Sequence, residues 1–265
     1  MFSIEIDCPP ELNDMLIAEL WVEGSVGIVE LEGGGLRAFF EDDAGRDALV
    51  TRFHARSWRQ EEQRDWVAMS RANWEPLEVG GRFFLVPEWR DDATPEGRFR
   101  IVVNPGMAFG TGMHETTQLC LEALETYVRP GLRVLDVGTG SGILAQAAAL
   151  LGAGTVWACD TDPEAIQIAR ANAGPNLFIG SVDAVRTGTA GLIAANISPE
   201  TIARLAPELL RGLRPGGVAL VSGFERHESA AVAAELERRG GAIREARSKG
   251  AWALLVVGGK LVGGV

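Results

Sequence analysis

A turn with three alternating glycines joins a hydrophobic segment to a helical one between Asp136 and Gly142. The glycines permit a tight turn and let a ligand lie against the backbone. Dinucleotide enzymes use a similar turn, so the glycines alone indicate only a nucleotide-like cofactor. Asp136 favours a cationic ligand with an amino group and a sulfonium, because a carboxylate repels phosphates. We therefore predict that Asp136, Gly138 and Gly140 bind S-adenosylmethionine; the alternative for Asp136 is to cap the turn.

A second acidic position follows the next predicted strand, where Asp160 lies 22 residues after Gly138. In Rossmann-like proteins a carboxylate at this place hydrogen-bonds the ribose hydroxyls. Asp162 directly precedes a proline, and this pairing favours a helix N-cap over a ligand contact. After the third strand, Ser181 or Val182 is the candidate for contacting the adenine edge.

The fourth predicted strand ends at Asn196, two residues before Ser198. A side chain at the carboxyl end of a parallel strand faces the crevice in which ligands bind. The carbonyl oxygen of Asn196 can accept a hydrogen bond from a substrate amine. An N-cap role is the alternative, but Ser198 fits the cap better because Pro199 opens the helix. Asn196 is therefore the predicted catalytic residue and a predicted cofactor contact.

The segment from Asn104 to Thr117 combines glycines, an apolar pair, a histidine and threonines in a loop that leads into a helix. Its glycines allow backbone to lie against a ligand, and the hydroxyls of Thr116 and Thr117 can reach the methionine part of the cofactor. Phe109 is a further candidate contact. A metal site is not expected, because no ligand-spaced cysteine or histidine accompanies His114. A structural role and a catalytic role for His114 both remain open.

Strand-like and helical segments alternate from about residue 101 onward, and these elements must position the candidate side chains. Repeated βα units imply a doubly wound, mostly parallel sheet. The last two strand-like runs, 242–247 and 252–257, are separated only by a short turn, so they must pair antiparallel. We predict an α/β fold with a seven-stranded sheet that ends in an antiparallel hairpin, which is the class I methyltransferase arrangement.

The first 57 residues predict a separate, small α+β domain with the order strand, helix, strand, strand, helix. This order is most of a ferredoxin-like split βαβ unit. Residues 58–100 are predicted to form a linker helix and a connecting segment, and they contain four of the seven tryptophans. Tryptophans at this density either pack against a neighbouring domain or form a surface for a partner.

The chain has 265 residues, a net charge of −11 and three widely separated cysteines. The cysteine spacing indicates neither a disulfide framework nor a zinc site and fits a reducing compartment. Residues 1–75 hold 16 acidic side chains against 7 arginines, so we expect no direct nucleic-acid binding there. This surplus either attracts a basic partner or serves solubility. The chain starts without a secretory signal and has no long apolar run, so a cytoplasmic protein without a membrane span is expected.

The segments NPGMAFGTGMHETT, VLDVGTGSGIL, DTDP and AANI together resemble the ribosomal protein L11 methyltransferase family, PrmA. The family's loop pattern NPGMAFGTG-x-H-x-TT is matched at every fixed position, and the resemblance covers about residues 60–257. It implies cofactor contacts at Thr117, Gly138, Asp160 and Asn196. One departure is Gly191, where the family usually carries an aspartate shortly before the asparagine.

This resemblance implies a protein N-methyltransferase whose small N-terminal domain recognises a large-subunit ribosomal protein at the stalk base. It also implies trimethylation of the α-amino group and of certain lysine side chains. Three alternatives remain: a methyltransferase of the same fold acting on another protein or a small-molecule amine, a nicotinamide-dependent oxidoreductase, and a non-catalytic module that kept the cofactor fold. Asp136 and the terminal hairpin oppose the oxidoreductase, whereas Asn196 and the complete loop oppose the binding module.

Overall fold

A computed structural model gives the fold of the chain in two compact units, Met1–Asn73 and Trp74–Val265. The residues that it describes are 1–9, 16–17, 19–20, 23–31, 34–41, 45–61, 75–103, 112–170, 172, 174 and 176–259. Phe109 of the predicted site lies outside the described residues, and so do most of the loop that contains it and two of the tryptophans in the predicted linker.

The first unit contains a four-stranded antiparallel sheet. Its elements are β1 (Phe2–Ile6), β2 (Gly27–Glu30), β3 (Leu36–Phe40), α1 (Arg46–Arg52) and β4 (Ser57–Gln60). The strand order is β2-β3-β1-β4, and residues 16, 17, 19 and 20 between β1 and β2 are helical. This order is that of a ferredoxin-like unit, in agreement with the element pattern predicted from the sequence. The core lies under β1, where Phe2, Ile4 and Ile6 are buried.

The strand β4 corrects the predicted boundary of the first domain. The sequence predicts a linker from residue 58, but β4 pairs along β1 with Phe2 opposite Gln60 and Glu5 opposite Ser57. Residues 58–60 therefore complete the first sheet, and they cover what would otherwise be an unpaired edge of β1. Trp58 in this strand is 43% exposed, and the guanidinium of Arg46 lies 4.0 Å from the centre of its ring.

Glu5 on β1 is a buried carboxylate surrounded by arginines. It pairs with Arg37 on β3, with Arg56 Nη2 at 3.0 Å and with Arg59 Nη2 at 3.2 Å. The hydrogen bond from Arg37 is the main cause that lowers the pKa of Glu5 to about 2, although burial opposes it. The ionised carboxylate thus links β1, β3 and β4 on one face of the sheet.

The second unit contains a three-stranded sheet and a seven-stranded sheet with helices on both faces. Its strands are β5 (Leu77–Val79), β6 (Phe83–Pro87), β7 (Phe99–Val103), β8 (Arg133–Val137), β9 (Thr155–Asp160), β10 (Leu177–Ile179), β11 (Ala190–Asn196), β12 (Leu213–Glu225), β13 (Gly241–Lys249) and β14 (Trp252–Gly259). Its helices are α2 (Glu115–Tyr127), α3 (Ile143–Leu150), α4 (Pro163–Ala169), α5 (Pro199–Gly212) and α6 (Ser229–Arg238).

β5, β6 and the start of β7 lie in the segment that the sequence predicts to be a linker. β6 pairs antiparallel with β5 and parallel with β7. Phe83, Leu85 and Ile101 from this sheet are fully buried and join the core formed by α2 and α3. The segment is therefore part of the second unit's hydrophobic core, and the linker prediction does not describe its strands.

The seven-stranded sheet has the order β10-β9-β8-β11-β12-β14-β13. All neighbours up to β12 are parallel, whereas β14 pairs antiparallel with both β12 and β13. The predicted doubly wound sheet with an antiparallel terminal hairpin is thus confirmed. Within the part of the chain that the structure describes, no helix has the length and apolar character needed to cross a membrane.

Two separate cores lie on the two faces of this sheet. Along β8, Val134 packs in the core with α2 and α3, while Leu135 packs on the other face with α5 and α6. Successive side chains of a strand point to opposite faces. Asp136 therefore shares the face of Val134 and lies next to α3. This alternation decides the role of Asp136 at the site.

Candidate functional site

A cleft of about 1140 Å³ opens where β8, β9 and β11 end. The sheet order reverses between β8 and β11, and ligands of doubly wound folds bind at such a reversal. Seven of the nine predicted site residues line the cleft, namely Thr116, Thr117, Gly138, Gly140, Asp160, Ser181 and Asn196. The fold thus brings together residues from five separate segments of the sequence.

The glycine-rich turn forms the floor of this cleft. Gly138 has a φ of +69°, and its backbone N–H donates to the Cys159 carbonyl at 2.9 Å. A Cβ atom on Gly138 would lie only 2.4 Å from Cγ2 of Ile197. Gly142, with a φ of +82°, is the N-cap of α3. Only glycine therefore satisfies both the conformation and the space at position 138.

Asp136 lies behind the turn and does not line the cleft. It is 1% exposed, and its Oδ2 accepts hydrogen bonds from the Thr139 hydroxyl at 2.7 Å and from the Ala145 N–H at 3.1 Å. Burial raises the pKa of Asp136 to about 6, and the nearby Asp160 adds to the rise. The predicted direct contact of Asp136 with the cofactor is thus not supported. The geometry favours the alternative role, in which this carboxylate holds the turn.

Asp160 faces the cleft from the end of β9. Its Oδ2 accepts from the Gly140 N–H at 3.0 Å, and its Oδ1 accepts from the Asp162 N–H at 3.1 Å. Asp162 caps α4, since its Oδ1 accepts from the Glu164 N–H at 2.8 Å, as the sequence predicts. Each oxygen of Asp160 keeps a lone pair for a further donor, so the carboxylate can still accept from a ligand hydroxyl.

Ser181 lines the cleft after β10, whereas Val182 is completely buried. Of the two candidates for the adenine edge, only Ser181 is therefore available to a ligand. It precedes a short 3₁₀ helix, Val182–Ala184, and stands beside Gly180, which has a φ of +147°.

Asn196 ends β11 and contacts the first turn of α2. Its Nδ2 donates to Thr116 Oγ1 at 3.2 Å and to Thr117 Oγ1 at 3.4 Å. Both threonines are buried, at 4% and 2% exposure. Ser198 caps α5, because its Oγ accepts from the Thr201 N–H at 3.3 Å. Ser198 takes the capping role, as predicted, and Asn196 remains in the cleft.

His114 is both the N-cap of α2 and part of the cleft wall. Its Nδ1 accepts from the Thr116 N–H at 3.3 Å and lies 2.8 Å from Thr116 Oγ1. Its ring meets the ring of Trp252 in an edge-on contact with centroids 4.5 Å apart. Histidine is an unusual cap, but an unprotonated ring nitrogen provides the acceptor that a helix N-terminus needs. The structural role left open by the sequence is therefore present in a residue that also faces the cleft.

Several lining residues were not predicted from the sequence, among them Ile197, Arg204 and Trp252. Ile197 directly follows Asn196 and could have been proposed from that position, since it packs over Gly138. No local motif marks the other two. Arg204 is carried by α5 and Trp252 opens β14, so only the packing of α5 and of the terminal hairpin brings them to the cleft.

Gly191 lies near the start of β11, at the opposite end of the strand from Asn196. A Cβ atom there would lie 2.4 Å from Leu132 Cδ1 and 3.1 Å from Arg214 Nε. The family's aspartate would therefore require Leu132 to move. Because this position is remote from the carboxyl end of β11, the departure leaves the cleft unchanged.

The cleft combines acceptors for ligand hydroxyls with a backbone turn that lacks side chains. Asp160 supplies the acceptors, and Asn196 with its two threonines forms a polar end. Among the residues that the structure describes, no group of acidic, histidine or cysteine side chains could hold a metal ion. The arrangement suits a nucleoside-like ligand bound beside a side-chain amide.

Comparison with known proteins connects this geometry with one family. A family model described as ribosomal protein L11 methyltransferase (PrmA) matches residues 37–260. A ribosomal protein L11 methyltransferase of Pelotomaculum thermopropionicum is 44% identical over 206 residues, which are 75% of this chain and 67% of that protein. Another, from Synechococcus elongatus, is 35% identical over an alignment of 286 positions with gaps counted, which covers 96% of this chain and 95% of that protein. The crystal structure of ribosomal protein L11 methylase from Lactobacillus delbrueckii subsp. bulgaricus matches with a TM-score of 0.65 at 33% identity, over 71% of this chain and 100% of that one.

Proposed function

The chain belongs to the ribosomal protein L11 methyltransferase (PrmA) family, and from this premise we propose that it transfers methyl groups from S-adenosylmethionine to ribosomal protein L11. In the finer form of the proposal, the α-amino group and lysine side chains of this stalk-base protein accept the methyl groups. The reaction takes place in the cytoplasm. The observation that carries the proposal is the Asn196 amide, which lies at the carboxyl end of β11 in the same cleft as Asp160 and the glycine-rich turn.

The residues of the cleft fit S-adenosylmethionine by their donors and acceptors. Asp160 has lone pairs left for ribose hydroxyls, and Ser181 offers a hydroxyl near the predicted adenine position. Gly138 lines the cleft with backbone alone, because a Cβ atom at this position would clash with Ile197. Thr117 and Asn196 would hold the methionine end. When bound, the cofactor supplies a methyl group on a sulfonium, which is an activated leaving group.

The protein's part in the reaction is mostly positioning of the amine. The carbonyl oxygen of Asn196 accepts a hydrogen bond from the amine N–H and thereby directs the nitrogen lone pair. The amine must lose a proton before its nitrogen has a lone pair to direct, and solvent takes that proton. An α-amine loses its proton near pH ~7.7–8.0 and a free lysine only near ~10.4, so no strong base is needed for the α-amine.

The first unit is proposed to recognise the substrate. The charge of this unit supports the proposal, because residues 1–73 carry 15 acidic side chains against 7 arginines. Such a surplus attracts a basic protein partner and opposes a grip on the phosphates of RNA.

The proposal is tested by incubating the protein with labelled S-adenosylmethionine and a panel of hypomethylated ribosomal proteins. We expect label in L11, on its α-amino group and lysines, as mapped by mass spectrometry. Asn196→Ala should lower the rate at least about tenfold, because it removes the acceptor for the amine. Asn176→Ala is the matched control, since Asn176 does not line the cleft and its Nδ2 donates to the Val156 carbonyl at 3.1 Å. Label in another protein of the panel, or full activity and unchanged cofactor affinity of Asn196→Ala, would contradict the proposal.

A further inference from the structure

The capping of α2 decides which nitrogen of His114 carries the proton. The N–H of Thr116 points at His114 Nδ1, 3.3 Å away, so Nδ1 must present a lone pair. In the neutral imidazole the proton is then on Nε2. The ring of Trp252 packs edge-on against the His114 ring and limits its rotation. A structural requirement, the cap of a helix, thus selects one tautomer.

This tautomer in turn decides the direction of the Thr116 hydroxyl. Thr116 Oγ1 lies 2.8 Å from His114 Nδ1, and both atoms cannot act as acceptors. Because Nδ1 has no proton, the hydroxyl must donate to it. A hydroxyl has a single proton, so Thr116 Oγ1 can only accept from every other neighbour.

The neighbour in question is the side-chain amide of Asn196. The atom of this amide that lies 3.2 Å from Thr116 Oγ1 must be a donor and therefore the NH₂ group. Thr117 Oγ1 lies on the same nitrogen at 3.4 Å. With the NH₂ group held by two threonines, the carbonyl oxygen is left for the cleft. It has no hydrogen bond to any residue that the structure describes.

We propose that Thr116 is a positioning residue: by donating its hydroxyl to His114, it orients the Asn196 amide so that the carbonyl oxygen faces the substrate amine. The opposite orientation would direct N–H groups at the amine lone pair and would block its attack. This inference rests on the proposed function and deepens it. It also differs from the sequence-based expectation, in which the Thr116 hydroxyl contacts the cofactor.

The first test compares Thr116→Val, which keeps the shape and loses the hydroxyl, with Thr116→Ser, which keeps the hydroxyl. We call the hydrogen bonds from Asn196 to Thr116 and from Thr116 to His114 the relay. We expect Thr116→Val to lower kcat about tenfold, the effect of one lost hydrogen bond in this relay. The Kd of S-adenosylhomocysteine should stay within about twofold, and Thr116→Ser should restore kcat. In the Asn196→Ala background, Thr116→Val should have no further effect, because the relay ends at Asn196. An equal loss of kcat in both backgrounds, or a matching loss of cofactor affinity, would overturn the proposal.

A second measurement is independent of activity and of the substrate. In ¹⁵N-labelled protein, the imidazole ¹⁵N shifts of His114 should show the Nε2–H tautomer in the wild type and in Thr116→Ser. An Nδ1–H tautomer in the wild type would refute the relay even if L11 is methylated. If L11 is not methylated but the Nε2–H tautomer is present, the proposed function fails while the orientation of the amide stands.

Discussion

Replacing Asp136 with asparagine tests the electrostatics of the glycine-rich turn. The carboxylate is buried, one oxygen accepts from Thr139 and Ala145, and the other has no hydrogen-bond partner among the described residues. The asparagine side chain would keep one acceptor oxygen for Thr139 and Ala145. The change therefore removes the charge while the fold of the turn is retained.

The size of the effect follows from the pKa of Asp136. Burial raises it from the ordinary 3.8 to about 6, so between these values the folded protein holds a proton that the unfolded chain has lost. Stability contributed by this site therefore falls as the pH rises from about 4 to about 6, and it is constant above and below. Since each tenfold difference in proton affinity corresponds to ~1.36 kcal/mol, the loss amounts to about 3 kcal/mol.

The assay is chemical denaturation of wild type and Asp136→Asn at a series of pH values from 4 to 8. The difference in the free energy of unfolding should shift by about 3 kcal/mol in favour of the variant between pH 4 and 6, and then stay constant. Titrating groups that do not interact with Asp136 cancel in this difference. Leu135→Ala, a neighbouring buried change without a titrating group, should cost about 2–5 kcal/mol at every pH. A difference for Asp136→Asn that does not vary with pH would refute the reasoning.

Two further substitutions test the turn and the first unit. Gly138→Ala should destabilise the second unit by about 2–4 kcal/mol and weaken binding of S-adenosylhomocysteine more than tenfold, because its Cβ meets Ile197. The control is Gly131→Ala, also at positive φ but in open space, which should cost only about 1 kcal/mol and leave binding intact. Denaturation measures the stabilities, and calorimetry measures the binding. Glu5→Gln should destabilise the first unit by about 2 kcal/mol at pH 7, since it removes the charge between three arginines. The pKa of Glu5 is lowered to about 2, so its contribution is present above about pH 4.5 and is lost as the pH falls toward 2; a difference that persists unchanged at pH 2 would contradict this assignment.

Most of the secondary structure of the second unit follows from the sequence. The apolar run of β8, the Asp162-Pro163 start of α4 and the Ser198-Pro199 start of α5 are local signals, because caps and strand periodicity depend on near neighbours. The linker prediction failed for the opposite reason. β5 to β7 are short strands that pair with one another, but their burial depends on the core formed by the later helices α2 and α3. β4 finds its partner in β1, more than fifty residues earlier.

The candidate site shows the same division. By itself, the sequence determined that Asp160 and Asn196 end parallel strands and that a glycine-rich turn lies between the strand and the helix, because these are properties of contiguous residues. Only the tertiary structure decided that Asp136 is buried behind the turn, since its exposure depends on the packing of α3. Likewise, the sequence contains His114, Thr116 and Asn196, but it does not show which of them donates a hydrogen bond to which. The fold decides these directions because it brings the cap of α2 against the end of β11. Each hydrogen bond there depends on which neighbouring atoms donate and which accept.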